Sequence, residues 1–431
     1  MAEDLSQLEL FAAVSAAYAD SATASLGNSE LYVAVADRTG ISPTRMTERS
    51  PIGRDGQQHN VITRSIRWHQ QTLKHMGVLQ HVPGERGVWE WVKPTETRLH
   101  ACTPGVSMVA FSTKLGVAIW GDCVHTFRNV NEPIALCVTS PPYALARQRA
   151  YGNPSEAEYV DFIVRALEPI VRHLMPGGSL CLNLGQDIFI QGSPARSMVN
   201  ERVLLALHDR LGLSLLDRLI WHNPSKPPGP THWASKVRCH LNVAYEPIFW
   251  LATNPALVRA DNRRVLEPHT EKHLRLIANG GERRRAEYGD GAHTIREGSY
   301  RHATAGRIPR NVIARGNRCA DTLQYRRDAA ALRLPAHGAV MPLSIPDFLI
   351  RFLTEPGDLV VDPFGGTVKT GMAAERLGRR WMVTEQMIDY LRPAAERFRP
   401  CDGFSMPSGV MAWPSQSVLQ GSTSTLGESL C

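Results

Sequence analysis

Two short stretches, far apart in the chain, carry residue types suited to chemistry. The first is Thr139-Ser140-Pro141-Pro142-Tyr143, which closes the apolar run 134–138. A buried strand that stops in a double proline brings a hydroxyl, two rigid carbonyls and an aromatic ring to the carboxyl edge of a sheet. Open α/β sheets bind ligands at that edge, and proline has no N–H to compete for the carbonyls. A flat guest could stack on Tyr143. An ordinary proline turn after a strand has the same sequence, so the stretch gains weight only from the second one. There, the strand-like Leu359-Val360-Val361 leads into Asp362-Pro363-Phe364-Gly365-Gly366-Thr367, a helical pattern over 372–377, and a second strand-like run ending in Glu385. In such βαβ units the acid ending the second strand commonly accepts hydrogen bonds from ribose hydroxyls. Glycine in the first turn lets the backbone approach a ligand. Glu385 is the candidate ribose contact, although glycine at such a turn also has purely steric uses.

Taken together and in this order, the two stretches resemble the β class of amino-directed DNA methyltransferases that use S-adenosylmethionine. That family's catalytic motif, (Asp/Asn/Ser)-Pro-Pro-(Tyr/Phe/Trp), is met by Ser140, Pro141, Pro142 and Tyr143. Its cofactor motif, Asp-Pro-Phe-x-Gly, is met by Asp362, Pro363, Phe364, Gly365 and Gly366. Gly121-Asp122-Cys123 stands before the catalytic strand, where the family keeps an acid near the cofactor's adenine, and a histidine- and proline-bearing stretch, 337–346, precedes the cofactor motif. The resemblance covers residues 115–395. It implies a Rossmann-like α/β sheet and S-adenosylmethionine as methyl donor, with S-adenosylhomocysteine as product. It also implies a cofactor site built from Asp122, Asp362, Phe364, Gly365, Gly366, Thr367 and Glu385. Ser140 Oγ and the Pro141 carbonyl would accept the amino hydrogens of the target, and Tyr143 would stack on a base rotated out of the duplex. The reaction requires no metal. The second glycine usual in the cofactor turn is Val368 here, which leaves the path of that turn open.

Within the family, Ser at the first motif position is more typical of cytosine-N4 enzymes and Asp of adenine-N6 enzymes. Both amino groups make nearly the same demand on an acceptor, so both targets stay open. Two other readings remain: an amino-methyltransferase acting on RNA, and an inactive methyltransferase-like DNA-binding regulator.

The 431 residues suffice for two or three domains, and the formal net charge of +7 suits a polyanionic partner. The eight cysteines are scattered singly with no C-x-x-C pair, which argues against a zinc ribbon or a disulfide framework. Glu3 and Asp4 stand where a signal peptide needs positive charge, and no run is long enough to span a bilayer. The expected setting is the cytoplasm, with no membrane, and the expected partner is double-stranded DNA. Many β-class enzymes are dimers, so a homodimer is expected. No nuclease domain is evident, which leaves a stand-alone enzyme or the companion of a separate restriction endonuclease.

These residues need a scaffold. Residues 1–105 read as a winged-helix-like accessory domain: helices over 8–22, 30–39 and 60–76, then strands over 78–82 and 88–91 flanking a Pro-Gly turn. Ile62, Ile66, Leu73 and Met76 share one face of the third helix, with Arg64, Arg67, Gln71 and Lys74 around the rest. A dimerisation domain with a solvated basic face fits equally. Residues 106–251 form the catalytic half of the core, with a helix over 156–174 stopped by Pro176-Gly177-Gly178, a strand over 179–184, a helix over 199–211 and a strand over 245–251. The polar segment 147–153 is either a mobile loop over the flipped base or a connector. The proline-rich stretch 221–233 borders the target pocket, which would put Asn223 and Lys226 near DNA. Residues 252–335 are assigned to target recognition. Between 255 and 335 there are 17 Lys and Arg against 9 Asp and Glu. Arg263, Arg264, Arg283, Arg284 and Arg285 are the candidate phosphate and guanine contacts, unless the insertion is merely solvated. Residues 336–400 complete the core, and 401–431 read as a flexible tail.

Overall fold

A strand that is buried at every position needs cover on both faces, and 134–139 meets this condition, with an apolar run over 134–138 and all six residues buried. The computed structural model describes residues 7–21, 25–52, 57–75, 79–82, 84–91, 100–144, 152 and 154–411. In it nine strands form one sheet. In chain order they are β1 (Ser107–Ser112), β2 (Gly116–Gly121), β3 (Ile134–Thr139), β4 (Leu174–Asn183), β5 (Ser214–His222), β6 (Tyr245–Ala252), β7 (Val312–Ala314), β8 (Leu359–Asp362) and β9 (Arg380–Glu385). Their spatial order is β7-β5-β6-β4-β3-β8-β9-β2-β1. The five central strands β4-β3-β8-β9-β2 are parallel; β6 and β1 run antiparallel to the strands beside them, and β7 is parallel to β5.

Two helical layers cover this sheet. On β8, Val360 joins the cluster with Ile345, Leu349 and Met372, while Leu359 and Val361 join the opposite cluster with Tyr159, Ile163 and Val203. Each fully buried aliphatic residue contributes about 1.5–3 kcal/mol. Helix Glu156–Arg172 buries Tyr159, Ile163, Leu167 and Ile170 completely, the face expected from their spacing. It ends before Pro176-Gly177-Gly178, which lies inside β4 and not after the helix. The register between β3 and β4 shifts across this segment. Gly177 has φ +82°, and a Cβ there would lie 1.9 Å from the Leu257 carbonyl, so the chain bulges without breaking the strand.

The chain leaves β3 toward β4 on one side and leaves β8 toward β9 on the other. The carboxyl ends of β3 and β8 therefore flank the crevice where open α/β sheets bind ligands.

The amino-terminal part contains helices Gln7–Ala19, Asn28–Thr39, the short Pro43–Thr47 and Val61–His75, a hairpin of Arg49–Ile52 with Gln57–Asn60, and strands Ser25–Gly27, Val88–Trp91 and Leu79–His81 pairing in that order into an antiparallel sheet. Its core runs into that of the large sheet: the Phe11 ring meets Trp120 of β2 with centroids 5.8 Å apart. Residues 401–411 are not a flexible end. Ser405 pairs with Ser112, and Met406 and Val410 are buried. Residues 412–431, and 147–153 apart from Gly152, lie outside the described residues. The segment 252–335 is not one excursion, because β7 rejoins the large sheet beside β5. Among the described residues no helix is long and apolar enough to cross a membrane.

Candidate active site

Asp362, at the tip of β8, is 4% exposed. Its carboxylate accepts hydrogen bonds from Thr139 Oγ1 at 2.7 Å, Thr370 Oγ1 at 2.7 Å and the Phe364 amide at 3.0 Å. Burial pushes its pKa up to about 6, against the lowering effect of those bonds. The carboxylate thus ties the end of β3 to the start of the helix after β8, and fixes where the next residue, Ser140, stands.

Ser140 Oγ lies 3.0 Å from the Tyr143 hydroxyl, which is also within 3.2 Å of Asn183 Oδ1 and 3.0 Å of Glu246 Oε2. Behind the Tyr143 ring sits Gly185, where any Cβ would come within 2.4 Å of the ring. Burial and the Glu246 charge hold the phenol well above its ordinary pKa, so it stays protonated. Glu246 is in turn paired with Lys226 Nζ at 3.1 Å, and Lys226 with Asp187 at 3.4 Å.

The turn after β8 is equally constrained. A Cβ at Gly365 would lie 1.9 Å from Val383 Cγ1, and Gly366 has φ +50°. The Gly366 amide donates to Glu385 Oε2 at 2.8 Å, and the Met387 amide donates to Glu385 Oε1 at 2.9 Å. Burial pushes the Glu385 pKa up to about 7. Val368 has φ 56° and ψ 38°, the left-handed region where glycine is at home and a β-branched residue is a rarity. Two buried cations hold this turn from outside. Lys369 Nζ reaches Asp321 at 2.8 Å and Thr322 Oγ1 at 2.7 Å, while Arg397 pairs with Asp321 at 2.5 Å and donates to the Thr367 carbonyl. Burial alone would raise the Asp321 pKa, but Arg397 and Lys369 more than offset that and hold it low.

Both constellations open into one cleft of ≈ 750 Å³. Ser140, Tyr143, Asn223, Lys226, Phe364 and Glu385 all line it. That volume, the glycine-shaped turn and the buried carboxylate facing it suit a nucleoside-bearing cofactor beside a planar base. His337 borders the cleft too, with its Nε2 3.6 Å from where a Cβ on Gly366 would be.

Of the remaining sequence candidates, Asn223 and Lys226 line the cleft, while Asp122 and the five arginines do not. Asp122 caps the helix Cys123–Phe127 through the His125 amide, and its neighbour Cys123 lines the cleft. Asn223 is 7% exposed and closes the proline loop by accepting from the Ser225 amide at 3.0 Å. Lys226 points into the acidic pair beneath the cleft and is 17% exposed at its side chain. Arg263 is bound to Asp261, and Arg264 is bound to Glu355 at 2.8 Å and to the Arg259 and Thr354 carbonyls. Glu355 precedes β8, so these two arginines sit at the amino edge of the sheet, opposite the cleft. Arg283, Arg284 and Arg285 are exposed, and Arg285 pairs with Glu287. Among the described residues no cluster of His, Cys, Asp and Glu is arranged to hold a metal.

The sequence profile of the amino-directed family described as DNA methylase matches residues 134–397. The chain belongs to this N6/N4 DNA methylase family. It is 34% identical over 290 residues to the type II methyltransferase M.PvuII of Proteus hauseri, covering 67% of this chain and 85% of that one. It is 24% identical over 272 residues to M.BglII of Bacillus subtilis, covering 63% and 65%. Among solved structures it is similar to one described as PvuII DNA methyltransferase (cytosine-N4-specific). That likeness has a TM-score of 0.55 and 29% identity, covering 72% of this chain and 95% of the other. The methyltransferase takes its methyl group from S-adenosylmethionine, the cofactor of its family.

Sequence reasoning about this methyltransferase missed Asn183, Asp187, Glu246, Asp321 and Arg397. Each comes from an element with no motif of its own. The one available signal was Glu246 itself, an acid at the start of an otherwise apolar strand.

Proposed function

We propose that this methyltransferase modifies N4 of cytosine in duplex DNA, with the target base turned out of the helix. The observation that carries the reading is the shared cleft: Ser140 and Tyr143 at the tip of β3 face the same space as the turn after β8 and Glu385. A base still paired inside a duplex cannot reach that floor. Ser140 at the head of the motif and the likeness to a cytosine-N4-specific enzyme favour cytosine over adenine.

S-adenosylmethionine supplies an electrophilic methyl carbon on a sulfonium. Glu385 and the backbone of 364–367 would hold its nucleoside part, and Asp122 would stand near its adenine. Ser140 Oγ and the Pro141 carbonyl accept the amino hydrogens, which frees the nitrogen lone pair from the ring. Most of the rate then comes from placing nitrogen and methyl in line. Arg283 and Arg284 are available for phosphates. The helix order and three-stranded sheet of the amino-terminal part support a winged-helix reading, in which Val61–His75 presents Arg64, Gln71 and Lys74. A homodimer suits a palindromic target, and the type II relatives suggest pairing with a separate endonuclease.

The test is to methylate plasmid DNA with the purified protein, digest it to nucleosides and resolve them by mass spectrometry. N4-methylcytosine is expected. N6-methyladenine would overturn the choice of base, and 5-methylcytosine alone would overturn the roles given to Ser140 and Tyr143.

A further inference from the structure

The Tyr143 hydroxyl faces three oxygens but has one proton to give. One of the three, Asn183 Oδ1, belongs to an amide whose nitrogen donates to the Pro247 carbonyl at 3.1 Å, which leaves only its oxygen toward the phenol. The second, Glu246 Oε2, belongs to a carboxylate whose other oxygen is ion-paired with Lys226. Neither can donate. Among the described residues the remaining donor to the phenol oxygen is Ser140, at 3.0 Å. A charged acceptor wins over a neutral one, so the chain runs from Ser140 to Tyr143 to Glu246. With its own proton committed to Tyr143, Ser140 Oγ offers lone pairs to the cleft it lines.

We propose that Glu246 is a positioning residue: it sets the direction of this hydroxyl chain and receives the proton released by methyl transfer. The proposal rests on the reading of Ser140 as the acceptor of the target amino group. In the transfer the amino nitrogen bonds to the methyl carbon, and the carbon–sulfur bond breaks with its electron pair going to sulfur. One N–H proton passes to Ser140 Oγ as the Ser140 proton moves to Tyr143 and the Tyr143 proton to Glu246. Both hydroxyls are restored, and a sulfonium and a carboxylate become a neutral thioether and a neutral acid. Lys226 keeps Asp187 as its partner after Glu246 is neutralised.

Glu246→Gln preserves the shape of the side chain but cannot take the proton. Its single-turnover rate of methyl transfer is expected to fall on the order of 10²-fold, with cofactor and DNA dissociation constants within about twofold of wild type. Tyr143→Phe keeps the ring and breaks the chain, so it should lose as much, and the double variant no more. A readout without turnover comes from tyrosine labelled with ¹³C at Cζ in cofactor-free protein: the resonance absent from Tyr143→Phe should move in Glu246→Gln. Wild-type turnover in Glu246→Gln, additive losses in the double variant or an unmoved resonance would overturn the relay. If Ser140→Ala is inactive alongside any of these, the active-site reading survives it. Wild-type protein that methylates no DNA amino group would overturn both.

Discussion

Replacing Val368 tests the backbone of the turn after β8 directly, because the usual ranking of Ala over Gly should invert there. In a helix interior Gly is about 1 kcal/mol worse than Ala. At φ 56° and ψ 38°, by contrast, any residue with a Cβ is strained by roughly 1–2 kcal/mol, and Gly is not. The Val368 side chain is fully buried, and its Cγ1 lies 2.9 Å from where a Cβ on Gly371 would be. Val368→Ala removes two buried methyl groups and keeps the strain, a loss of roughly 1.6 kcal/mol at about 0.8 per carbon. Val368→Gly removes a third carbon, which brings the lost burial to roughly 2.4 kcal/mol, but recovers the roughly 1–2 kcal/mol of strain. The glycine variant should therefore be less destabilised than the alanine variant by a few tenths to about 1 kcal/mol. Urea unfolding of the three proteins, with cofactor absent, measures the difference. An alanine variant more stable than the glycine variant by about 1 kcal/mol, the ordinary helix value, would refute the left-handed assignment.

Tyr143→Ala should lose a base-stacking contact of about 1–3 kcal/mol and with it methyl transfer, while calorimetry shows cofactor binding intact; unchanged turnover would sink the site. Burial pushes the Glu385 pKa up to about 7. Its carboxylate is the stronger acceptor, so S-adenosylmethionine should bind more tightly as pH rises from 6 to 8, by roughly 1 kcal/mol, the gap between charged and neutral hydrogen bonds. Glu385→Gln should flatten that slope, and a flat wild-type profile would count against the ribose contact. Arg283→Ala with Arg284→Ala should weaken DNA binding and lower its salt dependence by about two counterions, measured by titration at several ionic strengths. Arg264→Ala, in contrast, should lower the melting temperature and leave the salt slope unchanged.

The legible parts of this chain were those where local composition and chemistry agree. The apolar run 134–138 and the periodic face of Glu156–Arg172 declared their state, whereas the proline-rich 221–233 is irregular only in its middle, because Trp221 and His222 end β5 and His232–Lys236 form a helical turn. The two motif stretches declared the crevice because both follow buried strands. What stayed hidden depends on long-range partners. Pro176-Gly177-Gly178 looks like a stop, but β3 on one side and Leu257 on the other hold it in a strand. The charge of Arg264 and Lys226 was visible but their partners were not, and ion pairing with Glu355 and Glu246 gives each a fixed place in the fold. The position of Val368 was recognisable as a departure. That it keeps the glycine-like conformation, and that Asp321 gathers Lys369 and Arg397 around the turn, follows from packing alone.

The segment between Glu267 and Arg307 is closed at its neck by reciprocal backbone hydrogen bonds of 3.0 and 2.9 Å between those two residues. On the near side Arg264 anchors it to Glu355, and on the far side β7 and Asp321 return the chain to the core. Within it only Gly281 and Gly306 are buried. Such a segment behaves as a cassette: its exposed side chains can be exchanged with little effect on how the sheet folds, since they contribute almost nothing to the core. Selection acting on this surface is thereby uncoupled from selection acting on the catalytic sheet. A lineage can rewrite the outer face of the protein between fixed anchors and keep the same chemistry beneath it.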